Sequence, residues 1–211
     1  MKLPAPTLTG RHVQLEQLRI EHVDELVAAA NEDRATYTWT AVPPTVAEMT
    51  AYIAGLLADQ ERGEVVPFVQ RRAADGALVG CTRYLRLEWW GNRTSVVRAG
   101  ESSPSLPAEV EIGGTWLAAS AQRTPINTEA KLLLLGNAFD EWHVERVAIC
   151  TDVRNTRSRT AIERIGATFE GVLRRHRGSY VPGEGARDSA MYSVIADEWP
   201  AVRAGLVERL S

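Results

Sequence analysis

Residues 110–176 read VEIGGTWLAASAQRTPINTEAKLLLLGNAFDEWHVERVAICTDVRNTRSRTAIERIGATFEGVLRRH, and this stretch decides the fold. Apolar and polar residues alternate over 108–119, which predicts a strand. Gly113-Gly114 interrupts the alternation and predicts a bulge, where the strand bends or another group approaches its backbone. After a polar turn, apolar residues at helical spacing predict a helix over 127–142.

Three more strands and two more helices are predicted towards the C-terminus. The first of these helices should end at Gly166, because glycine adopts the left-handed conformation that closes many helices. The predicted elements are strands over 146–153, 167–175 and 188–196, and helices over 157–165 and 199–210.

The N-terminal part adds three strands and two helices. The second helix lies between Pro43-Pro44 and Gly63, which are start and stop signals. The Asp75-Gly76 turn joins two of the strands into a hairpin. The elements are strands over 11–18, 65–72 and 77–89, a helix with Ile20, Val23, Leu26 and Val27 on one stripe, and a helix over 46–61.

The order of these elements predicts a mixed α/β (α+β) fold. No repeat or linker divides the chain, so residues 1–211 should form a single domain. Residues 90–107 have no periodicity, and a loop of that length is usually functional or disordered.

The composition is that of a globular protein whose main partner is not a nucleic acid. Apolar residues make up 45% of the 211 residues and charged residues 24%. The 24 Lys and Arg against 27 Asp and Glu give a net charge of −3, whereas binding to phosphate backbones needs a basic surface. The only dense basic run is Arg174-Arg175-His176-Arg177.

Other features predict a cytoplasmic protein with no membrane span, since no apolar run reaches the roughly 18 residues that a span needs. The N-terminus lacks the apolar core of an export signal. Cys81 and Cys150 match neither zinc-ligand spacing nor a disulfide framework, so we expect reduced core thiols. The four histidines form no metal-ligand cluster, and no metal is expected.

Three motifs in the quoted stretch resemble the core of the GCN5-related N-acetyltransferase (GNAT) family. They are NTEAKLLLL at 127–135, TDxxNxRSRxAIExxGA at 151–167 and EGxLRxH at 170–176. The similarity is strongest to the RimJ/RimL-like branch, which acetylates the N-termini of ribosomal proteins. It covers about a third of the chain closely and the flanking elements more loosely. The resemblance implies a mostly antiparallel central sheet of about seven strands, with helices on both faces and a splay between strands 108–119 and 146–153.

The turn before the helix at 127 is a candidate site for the pyrophosphate of coenzyme A. Free amides and the helix dipole favour an anion there, and the candidate ligands are Gln122, Arg123, Thr124, Asn127 and Thr128. The sequence departs from the family pattern, which has glycine where Pro125 stands, and Pro125 has no N–H to donate. The turn can also be interpreted as a helix capped by Asn127 or Thr128.

Glu109 and Glu111 lie two residues apart and therefore share one face of their strand. An amine must lose a proton before it attacks a thioester, and a nearby carboxylate can accept that proton directly or through water. The resemblance implies that Glu111 is this base. Glu109 stays open as the alternative, and both side chains can equally be exposed strand carboxylates.

Asn155 and Ser158 match the Asn-x-x-Ser of the family. The resemblance implies that Asn155 bonds the pantetheine arm and that Ser158 lies near the sulfur, where it protonates the leaving thiolate. The tyrosine that many members place one turn later is Ile162 here. Asn155 can also be a helix cap and Ser158 an ordinary first-turn residue. Without Ser158, the thiolate would be protonated by water or by an acceptor-side residue such as Tyr192. The backbone of Gly114, Thr115, Trp116 and Leu117 would bond the pantetheine amides.

The resemblance implies an acyl-CoA-dependent N-acyltransferase, most simply an N-acetyltransferase, that works by direct transfer in a ternary complex. Two alternatives stay open: an acyl-CoA-binding sensor without turnover, and a transferase for succinyl or longer acyl groups. The amine acceptor can be a protein N-terminus, an amino sugar, a polyamine or an amino-acid-like metabolite. His176, and Trp39, Trp89 and Trp90, are candidates for the acceptor side, although the tryptophans can equally pack in the core or form a homodimer interface.

Overall fold

The computed structural model describes residue 3 and residues 5–90 and 106–211. Within these residues eight strands form one sheet in the order β1-β2-β3-β4-β5-β6-β8-β7. The strands are β1 (Leu8–Thr9), β2 (Val13–Gln17), β3 (Val65–Arg72), β4 (Leu78–Glu88), β5 (Glu109–Leu117), β6 (Arg146–Asp152), β7 (Thr168–Gly178) and β8 (Ala186–Ile195). The α-helices are α1 (Val23–Ala30), α2 (Val46–Glu61), α3 (Ile126–Gly136), α4 (Thr156–Ile165) and α5 (Trp199–Leu210).

The predicted elements are confirmed, with two differences. The sheet gains β1, which is too short for a periodicity to reveal and pairs with β2 at Leu8↔Leu15. The helix predicted over 127–142 is α3 followed by a π-helical turn, Asn137–Glu141. Most of the predicted loop over 90–107 lies outside the described residues.

The sheet is antiparallel except at its centre, where β5 and β6 run parallel. These two strands pair only over Glu109↔Arg146, Val110↔Val147 and Glu111↔Ala148. Beyond these three pairs β5 stays paired with β4, and β6 stays paired with β8. The two halves of the sheet therefore separate after Glu111, which confirms the predicted splay.

The bulge predicted at Gly113-Gly114 is confirmed in the pairing of β5 with β4. Cys81 lies opposite Trp116 and Arg83 lies opposite Gly113, so β5 holds one more residue than β4 in this interval. Gly114 has a φ of 57°, a left-handed conformation that only glycine adopts at little cost. The extra residue reverses the alternation of side chains after Gly114, because strand side chains change face at every residue.

The helices cover both faces of the sheet. Helices α1 and α2 lie on what we call the front face, where Tyr52 of α2 accepts a hydrogen bond from Arg83 of β4 at 3.1 Å. Helices α3, α4 and α5 lie on the back face. There the buried Tyr84 hydroxyl donates to the Leu134 carbonyl of α3 at 2.6 Å, and Phe139 stacks on Trp199 at 5.5 Å between ring centroids. Within the described residues no helix is long and apolar enough to cross a membrane.

A buried carboxylate joins α3 to the N-terminal strands. Glu129 is 6% exposed, and its two carboxylate oxygens accept the backbone N–H groups of Arg11, His12 and Val13 at 2.6 to 2.8 Å. A Cβ on Gly10 would collide with this carboxylate. The contact holds the turn between β1 and β2 against the first turns of α3, and it satisfies three N–H groups that would otherwise lack partners.

We expect Glu129→Gln to lower the free energy of unfolding by about 2 kcal/mol, because the amide keeps the shape but loses three charge-assisted hydrogen bonds. Urea unfolding at neutral pH measures the change. Glu141→Gln, an exposed position just after α3, is the matched control and should change stability by less than about 0.5 kcal/mol. Equal effects of the two substitutions would contradict the proposed anchoring.

The bulge leaves a buried lysine beneath it on the back face. Lys131 of α3 is 4% exposed, and its Nζ donates to Thr115 Oγ1 at 2.8 Å. Thr115 Oγ1 also bonds Thr82 Oγ1 at 2.8 Å, so the described residues provide hydroxyl partners for this amine and no carboxylate within salt-bridge distance. Burial lowers the pKa of Lys131 to about 7, since desolvation disfavours the charged form.

This lowered pKa predicts a pH-dependent contribution to stability. Between pH 7 and the ordinary lysine value of 10.5, the unfolded chain binds a proton that the folded chain does not. The free energy of unfolding should therefore rise with pH in this window, by at most about 1.4 kcal/mol per pH unit. Urea unfolding at pH 7, 8 and 9 measures this increase in the free energy of unfolding. Lys131→Met should lack the contribution of Lys131 to the increase, whereas Leu132→Met should keep it. Parallel slopes for wild type and Lys131→Met would refute the prediction.

Candidate active site

The splay leaves one edge of β5 open at the centre of the molecule. From Ile112 to Leu117 the side of β5 that faces β6 has no strand partner among the described residues. Near the end of this segment the Leu117 carbonyl accepts hydrogen bonds from the Tyr37 hydroxyl at 3.0 Å and from Gln122 Nε2 at 2.8 Å. The predicted pantetheine-binding segment, Gly114, Thr115, Trp116 and Leu117, thus borders an open cleft, and the Leu117 carbonyl already has protein partners.

The turn that leads from β5 into α3 holds the residues predicted to bind pyrophosphate. Gln122 Nε2 also bonds Thr36 Oγ1 at 3.1 Å, so this side chain ties the turn to the front-face segment before α2. Arg123 is exposed and has a φ of 60°. Thr124 Oγ1 donates to the Ala121 carbonyl at 2.7 Å.

Helix α3 begins one residue earlier than the sequence indicated. Pro125 is the N-cap, and neither Asn127 nor Thr128 caps the helix; both lie half-buried in its first turn. The interpretation of Asn127 or Thr128 as the cap was therefore wrong. Proline fits because its fixed φ suits the helix start and its missing N–H is not needed there.

Several backbone N–H groups in this turn point to an anion-binding site. The amides of Arg123, Thr124, Asn127 and Thr128 have no hydrogen-bond acceptor within the described part of the chain. Helix N-termini leave such groups free and add the positive end of the helix dipole. Pro125 removes one donor and leaves four others beside it.

Glu111 lies on the front face at the point where β5 and β6 separate. It is 3% exposed, and its Oε1 accepts Arg177 Nη1 at 2.9 Å while its Oε2 accepts Arg177 Nη2. The Cys150 thiol donates to Oε1 at 3.5 Å, and Arg86 Nε lies 3.7 Å from Oε2. A carboxylate oxygen has two acceptor sites, so the two bonds from Arg177 still leave room for a water or a substrate proton.

The other candidate base, Glu109, lies within the paired part of β5. Its Oε1 is 3.2 Å from Arg146 Nε, and Arg146 also binds Glu170 of β7 at 2.8 Å. Glu109 therefore belongs to an ion-pair chain across the strands, three residues before the open edge begins at Ile112. Both glutamates are paired with arginines, and Glu111 is the one at the splay.

His176, Trp89 and Trp90 were predicted as candidates for the acceptor side. His176 is half-buried, and its Nδ1 has no hydrogen-bond partner in the described regions. Burial, followed by the positive charges of Arg177 and Arg86, lowers the pKa of His176. Trp89 is half-buried at the end of β4, whereas Trp90 is 52% exposed.

Asn155 and Ser158 lie on the other side of the splay, at the start of α4. Asn155 is the N-cap, and its Oδ1 accepts the Ser158 N–H at 3.0 Å. The Asn155 amide nitrogen and the Ser158 hydroxyl donate to no group among the described residues. Together with Trp39 and Arg157, Asn155 lines an open pocket of about 200 Å³. The buried Ile162 fills the position of the family's tyrosine.

The prediction of Tyr192 as an acceptor-side proton donor is wrong. It is fully buried on the back face, where its hydroxyl accepts Arg159 Nε and donates to Glu163 Oε1, both at 3.0 Å. Its side chain faces α4 because it alternates with Met191, which pairs with Cys150 on the front face.

The two cysteines are free, Cys81 buried and Cys150 half-buried. Burial raises the pKa of Cys81 to about 12, and burial together with Glu111 raises the pKa of Cys150 to about 11. Both thiols therefore stay protonated at neutral pH. In the described ranges no group of three His, Cys, Asp or Glu side chains could hold a metal ion.

Sequence reasoning missed the arginines of the site. Arg177 was visible only as the end of a short basic run, and Arg83, whose guanidinium lies against Gly114, gave no signal. A buried carboxylate requires a basic partner. The partner of Glu111 could therefore have been sought among the basic residues of the hairpin formed by β7 and β8.

We expect Gly114→Ala to weaken CoA binding and to lower stability by about 1–2 kcal/mol. The added Cβ would lie 2.5 Å from Arg83 Cζ, and the φ of 57° disfavours alanine. Calorimetry with CoA and urea unfolding measure the two effects. Gly178→Ala, with nothing within 4 Å of the added Cβ, should leave both unchanged. Wild-type CoA affinity in Gly114→Ala would contradict the placement of the donor along β5.

Comparisons with known proteins agree with this architecture. A family model described as an acetyltransferase (GNAT) domain matches residues 12–168. A Bacillus subtilis (strain 168) protein that carries the name of a ribosomal N-acetyltransferase, YdaF, is 41% identical over 86 residues, which are 41% of this chain and 45% of that protein.

Two solved structures extend the similarity to nearly the whole chain. An acetyltransferase structure from T. thermophilus is 32% identical, with a TM-score of 0.80 and 100% of both chains covered. Mycobacterium smegmatis RimJ in complex with CoA-disulfide shares the fold at 22% identity, with a TM-score of 0.76 over 97% of this chain and 95% of that one. With its family model matched over 12–168 and its splayed sheet, the chain belongs to the GNAT acetyltransferase family.

Proposed function

We propose that this protein transfers an acyl group, most simply acetyl, from acyl-CoA to the amine of an acceptor by direct transfer in a ternary complex. The observation that carries the proposal is the row of free N–H groups at Arg123, Thr124, Asn127 and Thr128, next to the unpaired edge of β5. An anion-binding site beside an unpaired strand edge suits a cofactor such as CoA. Its diphosphate would bind the free N–H groups, and the two amides of its arm would bind the strand edge.

The donor is proposed to lie in the splay between β5 and β6. Its diphosphate would bind at the turn formed by Gln122, Arg123, Thr124, Asn127 and Thr128. Its pantetheine arm would follow the backbone of Gly114 to Leu117 and reach the amide of Asn155 across the splay. The complex of M. smegmatis RimJ with CoA-disulfide supports an acyl-CoA donor for this chain as well.

Glu111 is proposed as the general base. It lies at the apex of the splay, where the thioester of a donor placed along β5 would end, and its position is fixed by Arg177 at 2.9 Å. Its Oε2 accepts a hydrogen bond from Arg177 alone, so one acceptor site on this oxygen stays open to the amine proton, directly or through a water. Glu109 is the first residue of the β5–β6 pairing and Glu111 the last before the splay, so Glu109 is the weaker candidate.

Ser158 is proposed to protonate the leaving thiolate. Its hydroxyl has no partner within the described residues and lies one turn into α4, beside Asn155. A thiol with a pKa near 8.5 needs little help to leave, so this residue should matter less than the base. Thiolate protonation requires no metal, and no covalent intermediate forms on Cys81 or Cys150.

The two other functions are less well supported. A sensor without turnover would not need Glu111 and Ser158 on the two sides of the splay. A succinyl-CoA or longer acyl-CoA donor would bind through the same free N–H groups. This alternative differs from the main proposal only in the acyl group that is transferred. A single domain, a homodimer and a cytoplasmic location stay predictions.

The proposal predicts that CoA binds and that acetyl-CoA releases thiol in the presence of a suitable amine. Glu111→Gln should lower kcat at neutral pH by ~10²-fold through loss of the base, with CoA affinity near that of the wild type. Glu109→Gln, its neighbour on the same face, is the matched control and should keep most of its activity. Calorimetry with CoA and thiol release with an amine panel are the measurements.

Two results would overturn the proposal in different ways. Absence of CoA binding at millimolar CoA concentration would refute the proposed acyltransferase function as a whole. Full activity in Glu111→Gln with loss in Glu109→Gln would transfer the role of base to Glu109. Because Glu111→Gln leaves Arg177 half-buried without its partner, circular dichroism must show that this variant is folded before kcat is compared.

A further inference from the structure

Arg187 of β8 is a nearly buried cation without a salt-bridge partner among the described residues. Its residue is 7% exposed, and no described carboxylate lies within 4 Å of its guanidinium. Its Nε has no hydrogen-bond partner in that part of the chain. The guanidinium instead lies over the ring of Tyr180, whose centroid is 5.3 Å from Arg187 Cζ.

The carboxylates around Arg187 are bound to other groups. Glu111 holds Arg177, and Arg154 bridges Asp152 at 2.8 Å and Glu184 at 2.7 Å. Asp188 Oδ1 accepts the backbone N–H of Arg175 at 2.8 Å. None of them forms a salt bridge with Arg187, and the negative charge of Asp152 acts on Arg187 only from a longer distance.

Arg187 faces the same side of the sheet as Glu111. It pairs directly with Arg177 in the β7–β8 ladder, and Arg177 binds Glu111. The charges of Glu111, Arg177 and Arg187 all act on the Cys150 thiol between them. Arg187 therefore lies close to the proposed reaction centre, on the side away from β5.

An open cleft gives access to this residue. It has a volume of about 410 Å³ and is lined by Val153, Arg154, Glu184, Gly185, Ala186, Arg187 and Asp188. That volume is in the range of small-molecule sites, roughly 300–1,000 Å³. A guanidinium that has lost most of its water and has no carboxylate partner is unfavourable until an anion binds it, preferably through two parallel N–H groups.

We propose that Arg187 binds an oxyanion, a carboxylate or a phosphate, carried by the acceptor, so that the acceptors are small amines with a negative charge. The proposal rests on the acyltransferase function above. Of the acceptor classes that the sequence left open, it favours amino-acid-like metabolites and other small amines that carry a carboxylate or a phosphate. A polyamine would place a second positive charge against Arg187, and a neutral amino sugar would leave it unpaired.

The test is binding of matched probes to the CoA-loaded protein, measured by calorimetry. The probes are 4-aminobutyrate, 3-aminopropylphosphonate and the neutral 4-aminobutanamide. We expect the wild type to bind at least one anionic probe at least about tenfold more tightly than the neutral one, as a charge-assisted hydrogen bond predicts. The comparison of carboxylate with phosphonate shows which oxyanion the site prefers.

Arg187→Met should abolish this preference, and Arg187→Lys should keep part of it because the charge remains while the paired N–H geometry is lost. Since Arg187 has no described ion-pair partner, its replacement by an apolar residue should not prevent folding. Arg203→Met, on the exposed face of α5, is the control and should bind the probes like the wild type.

Three outcomes would overturn the proposal while CoA still binds. They are equal affinity of the wild type for the charged and neutral probes, an unchanged preference in Arg187→Met, and no binding of any probe at ~50 mM, roughly five hundred times a Kd of ~10⁻⁴ M. Failure of CoA to bind would instead overturn the acyltransferase function, so the two failures are distinguishable. Should Arg187→Met not fold, Arg187→Lys carries the same comparison.

Discussion

The extra residue at Gly113-Gly114 is the constraint on which the rest of the site depends. Before it, Glu111 lies opposite Leu85 and faces the front. After it, the alternation is reversed, so Thr115 faces the back and Trp116 faces the front, where its ring meets Tyr37 edge-on at 6.1 Å. A regular strand would place Trp116 in the space of Lys131 and Thr82. The bulge thus lets one strand present a carboxylate and a core aromatic residue on the same face.

The bulge also explains the buried amine beneath it. Thr115 turns its hydroxyl to the back face, and Lys131 of α3 donates to it at 2.8 Å. The same helix is fixed at its start by Glu129, which binds three N–H groups of the N-terminal turn. Polar contacts therefore hold the first turns of α3 on both sides. These turns include Asn127 and Thr128, whose free backbone N–H groups belong to the proposed anion-binding site. A precise position for those amides is what a preorganised anion site requires.

The sequence predicted the elements well because their signals are local. The Gly113-Gly114 bulge, the Gly166 stop and the Asn155 cap each follow from the conformational preferences of one or two residues. Strand β1 was missed because two residues cannot show a period, and Pro125 as the N-cap was missed because Asn127 and Thr128 are better cap formers. Tyr192 was misplaced because its face depends on the register of β8 with β6, which no local pattern sets.

The candidate site was predictable only in part, for the same reason. Glu111, Asn155 and Ser158 stand out because each belongs to a motif, and the structure brings them to the two sides of one splay. The charges that surround Glu111 come from β4, β7 and β8, far away in sequence, and Arg187 has no motif. Long-range ion pairs depend on how β7 departs from regular pairing between Leu173 and Arg177, where Arg175 adopts a φ of 48°.

That departure has a further consequence for the acceptor side. The irregular part of β7 brings Arg177 onto Glu111, and the turn that follows carries Glu184, which binds Arg154. Arg154 in turn lies over the ring of Trp39 at 4.3 Å, in the segment between α1 and α2. The last hairpin and this segment are therefore joined through one arginine. Arg154, Glu184 and Arg187 all line the open cleft at the end of this hairpin, so the proposed oxyanion site lies beside the link between the two elements.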